Sequence, residues 1–121
     1  MNKTEQGQAA EERARRLLEA KGYRFLAANH RTRMGEVDLV MKDGETVVFV
    51  EVRERTRGGY GRGFESVTAA KQAKVAKAAL AYVKEKRLGG MPLRFDVVSF
   101  DPEGAAHLPN AFVPPAGRYT I

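Results

Sequence analysis

The sequence predicts an α/β or α+β domain built on one mixed β-sheet flanked by helices. Three observations carry this. Residues 4–21 and 68–87 repeat their apolar side chains with a helical period. Two apolar, strand-like runs, 35–40 and 47–53, are joined by an Asp-Gly turn. The elements then follow in the order α-β-β-β-α-β-β. With 121 residues, 43% of them hydrophobic, the chain makes one domain with a real core.

The first helix places Ala10, Ala14, Leu17 and Leu18 on one face, and Gly22 stops it. Tyr23 to Ala28 is a first strand, followed by a polar turn from Asn29 to Arg33. The hairpin comes next, its turn at Asp43-Gly44, where both positions tolerate positive φ. A glycine-rich basic stretch, Arg55 to Gly63, reads as a mobile loop and lacks the Gly-Lys-Ser/Thr of a P-loop. Thr68 caps the second helix, whose core side carries Ala69, Ala76, Leu80 and Val83, and Gly89-Gly90 ends it. Leu93 to Phe100 and Ala105 to Phe112 are the last strands, parted by a turn at 101–104. The domain therefore runs 1–113, and 114–121 is expected to be a flexible C-terminal tail.

The hairpin carries the chemistry. An ionised carboxylate taken out of water costs several kcal/mol unless it is compensated, yet Glu36, Asp38 and Glu51 lie in apolar runs. With Asp43 and Gly44 as the turn, Glu36 falls opposite Glu51. The strand period of two then sets Glu36, Asp38, Glu51 and Arg53 on one face. Asp38 and Glu51 become diagonal neighbours able to share a divalent cation. An odd-length turn would throw Glu51 to the other face. The alternative is an ordinary hairpin with solvent-facing acids, and Glu36 either joins a metal or pairs with Arg53 or Arg33. Asp96, in an apolar strand, is expected to make a structural hydrogen bond or salt bridge. His30 and His107 read as surface or structural residues.

The net charge is +6, and ten cations against three acids between Arg53 and Arg87 give that segment +7 by itself. Basic charge beside an acidic site points to a polyanion as substrate, with Arg55, Arg57, Arg62, Lys71 and Lys74 as its contacts. The bland reading is a solvated lysine face. There is no cysteine, which excludes disulfides, thiolate zinc sites and cysteine nucleophiles. No apolar run reaches the roughly 20 residues of a membrane span, and the polar start lacks a signal peptide's apolar core. A cytoplasmic protein without a membrane partner is expected.

Gly-Glu-x-Asp-Leu at 35–39, then Val-Phe-Val-Glu-Val-Arg-x-Arg at 48–55, resembles the YraN-like family of small bacterial proteins. That family is similar to archaeal Holliday-junction resolvases and restriction-endonuclease-like nucleases. Gly7-x-x-Ala10-Glu11-x-x-Ala14, Asn29-x-Arg31, Phe64-Glu65-Ser66-Val67-Thr68-x-x-Lys71, Arg94-Phe95-Asp96-Val97-Val98, and His107 with Asn110-Ala111-Phe112 extend the resemblance over nearly the whole chain. Ala10 stands where a Gly is usual.

The resemblance implies a restriction-endonuclease-like fold and a nuclease site in which Asp38 and Glu51 bind Mg²⁺ or Mn²⁺. It also implies that Glu11 joins the metal shell and that the Val52 carbonyl contributes. Glu11 otherwise reads as a first-turn acid complementing the helix dipole. The nuclease pattern has Lys where this chain has Arg53, which keeps its proton and suits phosphate contact rather than general-base work. Lys71 could supply the missing amine.

Two functions follow. One is a metal-dependent endonuclease acting on structured or branched DNA. The other is a nucleic-acid-binding protein that keeps the nuclease fold without the chemistry. A homodimer would set two sites along one duplex or junction.

Overall fold

The structure, a computed structural model, describes residues 5–54 and 68–113. The first helix, α1, spans Glu5–Ala20, followed by strands β1 (Arg24–Thr32), β2 (Gly35–Asp43) and β3 (Thr46–Glu54). The second helix, α2 (Ala69–Glu85), then leads to β4 (Leu93–Asp101) and β5 (Gly104–Leu108). The strands form one mixed sheet in sequence order, antiparallel throughout except for the parallel pair β3–β4. That parallel pair needs a long crossover, and α2 lies within it. The expected α/β class, one mixed sheet flanked by helices, is the one observed.

The helices cover opposite faces, which is why the central strands are apolar on both sides. Ala10, Ala14 and Leu18 of α1 pack on Leu39, Met41, Val48, Val50, Val98 and Phe100. Val75, Ala76, Ala79, Tyr82 and Val83 of α2 pack on Val37, Val40, Val47, Phe49, Phe95 and Val97, and Phe112 stacks on Phe95 at 5.2 Å to complete that layer. Of the expected core side of α2, Ala76 and Val83 are buried, whereas Ala69 is exposed and Leu80 half-buried. Phe112 reaches the core from the segment after β5, so the last strand ends at Leu108 rather than at 112.

Two further elements differ from the sequence reading. Asn29 to Thr32 continue β1 instead of forming a turn, and only Arg33-Met34 make the bend. As a sheet edge, β1 tolerates polar side chains, and Asn29 accommodates a kink at φ 53°. The β2–β3 turn is Gly44-Glu45, with Asp43 opposite Thr46. Gly44 alone takes positive φ there, at 60°, so glycine occupies the first turn position. This moves the register by two residues. Continued past the last rung, the register points Glu51 toward Asp38 rather than Glu36, and because the shift is even these two acids keep a common face.

The second helix begins as expected, with Thr68 Oγ1 accepting the Lys71 N–H at 3.2 Å. It ends before Gly89: Arg87 adopts φ 57° and the Leu88 N–H reaches back to the Val83 carbonyl at 2.8 Å. The loop cations Arg55, Arg57 and Arg62 and the tail 114–121 lie outside the described residues.

Candidate functional site

The β2–β3 ladder stops at Leu39↔Val50, while β2 stays paired with β1 to Gly35 and β3 stays paired with β4 to Glu54. The sheet therefore forks where the acids sit. Val37 and Val40 both join the α2-side core, a spacing of three that breaks the strand period at this point. Beyond the last rung, the Val52 N–H donates to Asp38 Oδ2 at 2.8 Å, so a carboxylate replaces the missing backbone acceptor. Asp38 is thereby fixed on β3 while belonging to β2.

Glu51 follows on β3, 3% exposed against 6% for Asp38. Both line a cavity of about 480 Å³ with Gly35, Glu36, Val52, Thr68, Lys71 and Lys74. The first turns of α2 form its roof. They come close because Gly35 has no side chain: a Cβ there would stand 2.3 Å from the Lys74 carbonyl oxygen. This approach sets Lys71 Nζ 3.4 Å from Glu51 Oε1. Burial, and secondarily the Asp38 carboxylate, pushes the Glu51 carboxyl up to about 7, against the opposing pull of Lys71 and Arg53.

Arg53 lies two residues beyond Glu51 on the same strand. Its Nε and Nη2 are buried and make no hydrogen bond among the described residues. A guanidinium left in that state is an unmet demand for an anion. Glu36 lines the cavity but is held by Arg31 across the β1–β2 pair at 2.8 Å, the ion-pairing alternative with a different partner than Arg33 or Arg53. Lys74 shares the cavity wall with Lys71.

Glu11 is buried too, at 5% exposure, but it lines a separate cavity of about 180 Å³ with Asn29, Phe25 and Leu39. Leu39 belongs to the α1-side core, so Glu11 and Glu51 serve opposite faces of the sheet. Among the described residues no three His, Asp or Glu side chains come together as a metal-binding group. The set that meets is Asp38, Glu51, Lys71 and Lys74, with Arg53 close enough to act on the charge of Glu51.

A second polar cluster, on the α1 face, is structural. Asp96, fully buried, accepts from Arg94 Nε at 2.9 Å, Arg94 Nη2 at 3.0 Å, the Asn110 N–H at 2.9 Å and His107 Nε2 at 2.8 Å. Lys21 has only protons to give, so His107 accepts at Nδ1 (2.8 Å) and donates through Nε2. Arg94 also reaches Asp43 at 2.9 Å and the Tyr23 hydroxyl, tying the β2–β3 turn to the segment after α1. Burial raises the Asp96 carboxyl, but the bonds from Arg94, His107 and Asn110 win and hold it below its ordinary value. Asp96 and His107 are thus structural, as expected from the sequence. His30 packs edge-on against Tyr82 at 5.1 Å. The size of the network was missed; the Arg94-x-Asp96 pair on one strand face was its visible trace.

Fold and cavity define a small α/β protein with a buried carboxylate pair at a sheet fork, rimmed by cations from one helix. The sequence model of the uncharacterised protein family UPF0102 matches residues 10–100. A UPF0102 protein of Alkalilimnicola ehrlichii is 47% identical over 112 residues, covering 92% of this chain and 89% of its own. One from Sulfurihydrogenibium sp. is 41% identical over 112 residues, covering 93% and 97%, and one from Bordetella avium is 47% identical over 111 residues, covering 92% and 77%. The chain belongs to the UPF0102, or YraN-like, family. No helix among the described residues is long and apolar enough to cross a membrane.

Proposed function

We propose that the fold is restriction-endonuclease-like and that the protein is a metal-dependent endonuclease acting on structured or branched DNA. The observation that carries this is the pairing of Asp38 and Glu51 in one cavity with Lys71 and Lys74 at its rim. Burial first, and the neighbouring Asp38 carboxylate second, make an ionised Glu51 costly here and raise its carboxyl. A divalent cation relieves that cost. The donors are hard oxygens, which suit Mg²⁺ or Mn²⁺.

Asp38, Glu51 and the Val52 carbonyl would hold the ion, with phosphate and water completing its shell; Glu11 lies in the other cavity. When bound, the cation would lower the pKa of a water and offset phosphate charge. The chain's own residues do the rest. The Val52 N–H orients Asp38. Lys71 brings an ammonium to within 3.4 Å of Glu51 Oε1, beside the carboxylate that would hold the ion. Arg53, two residues beyond Glu51 with buried Nε and Nη2 unpartnered among the described residues, would have to turn toward the cavity to meet a phosphate. Lys74 supports the flanking charge. Two chains related by a twofold axis would set two such cavities along one duplex or junction.

The alternative is a nucleic-acid-binding protein that keeps the fold without the chemistry. The ion pair between Lys71 and Glu51 favours it, because a lysine already compensates the buried acid. Incubating duplex, flap and four-way-junction DNA with Mg²⁺ or Mn²⁺ separates the two. Cleavage by wild type that is lost in Asp38→Ala and Glu51→Ala, with DNA binding kept, supports the nuclease. Equal cleavage by the variants refutes the site, and salt-sensitive binding without nicks supports the alternative.

A further inference from the structure

Arg33-Met34 form the tip of the β1–β2 hairpin, and its backbone is locked from within. Thr32 Oγ1 accepts the N–H groups of Met34 and Gly35, each at 3.1 Å, and donates to the Gly35 carbonyl at 3.0 Å. Met34 is nonetheless 58% exposed, and the large hydrophobics exposed among the described residues are only Met34 and Val113. A hollow of about 330 Å³ around the tip is lined by Arg31, Arg33, Met34 and Lys74, and shares Gly35, Glu36 and Lys74 with the Asp38–Glu51 cavity. Arg31 is spent on Glu36, whereas Arg33 and Lys74 are exposed cations.

We propose that this tip is a wedge against DNA. Met34 packs on an unstacked base at a break in pairing, while Arg33 and Lys74 hold the phosphates on either side. A rigid turn that presents one soft, polarisable side chain between cations suits insertion at a base step, where the apolar group replaces stacking and the cations follow the strand. The shared wall continues that strand into the carboxylate cavity. The wedge rests on the nucleic-acid reading above but not on cleavage.

The test is fluorescence anisotropy in EDTA, comparing a fully paired duplex with the same duplex carrying a central mismatch and a 2-aminopurine beside it. Wild type is expected to prefer the mismatched duplex and to raise 2-aminopurine emission on binding. Met34→Ala is expected to lose about tenfold on the mismatched duplex, to lose less on the paired one, and to abolish the emission rise; Met34→Leu restores both. Arg33→Ala/Lys74→Ala is expected to weaken both complexes and flatten the log–log salt slope by about 2. If wild type binds but Met34→Ala matches it on both duplexes, the wedge is overturned while the nucleic-acid reading stands. If wild type binds neither duplex, both are overturned.

Discussion

Lys71 Nζ lies 3.4 Å from Glu51 Oε1 because the α2 backbone touches β2 at Gly35, where a side chain would collide with the Lys74 carbonyl. One missing Cβ thus decides how far an ammonium from the helix can reach into the sheet fork.

Gly35→Ala is accordingly expected to push α2 outward. Overpacking of this kind costs about 1–3 kcal/mol, read as a lower denaturation midpoint, and the variant is expected to bind Mn²⁺ and DNA more weakly. An unchanged midpoint would show that the helix is not held by this contact.

Glu51 sets a pH dependence. In the native state it keeps its proton to about 7, against an ordinary 4.5. Between those values the folded protein holds a proton that the unfolded chain has released, so stability falls as pH rises through this window and levels off above it. The total is about 3 kcal/mol. Glu51→Gln is expected to match wild type near pH 4.5 and to melt higher at pH 8. Equal melting at pH 8 would place the carboxylate in a better-compensated site than its burial indicates.

The hairpin, both helices and the pairing of Asp38 with Glu51 on one face were legible in the sequence because an even-length turn preserves the strand period. The turn position itself was not, since Gly44 serves equally well as first or second turn residue. Asn29 to Thr32 read as a turn because their polarity carries no trace of a sheet edge. The separation of Glu11 from Asp38 and Glu51 was illegible for another reason: which face a helix covers is a tertiary fact, and the resemblance that joined Glu11 to the metal says nothing of it. Lys71 beside Glu51 depended on the close approach at Gly35, which sequence spacing does not reveal.

Asp96→Asn is expected to cost about 3–5 kcal/mol, because it strands the Arg94 guanidinium among groups arranged for an anion. In wild type the Asp96 contribution is present above its ordinary 3.8 and is lost as pH falls through its lower native value. Acid melts of the two proteins check this: the difference should shrink below pH 4.

Thr68→Ala removes the cap on Lys71 N and is expected to cost about 1 kcal/mol. A loss of Mn²⁺ affinity exceeding that of Thr68→Ser would show that the cap also positions Lys71.

The most direct test of the central claim is calorimetric titration of Mn²⁺ at pH 8 into wild type and Asp38→Ala/Glu51→Ala, each with and without duplex DNA. Saturable binding in wild type, absent from the double variant, is the expected result. No binding by wild type even with duplex present, or equal binding by both proteins, would contradict a metal site at the fork of the sheet.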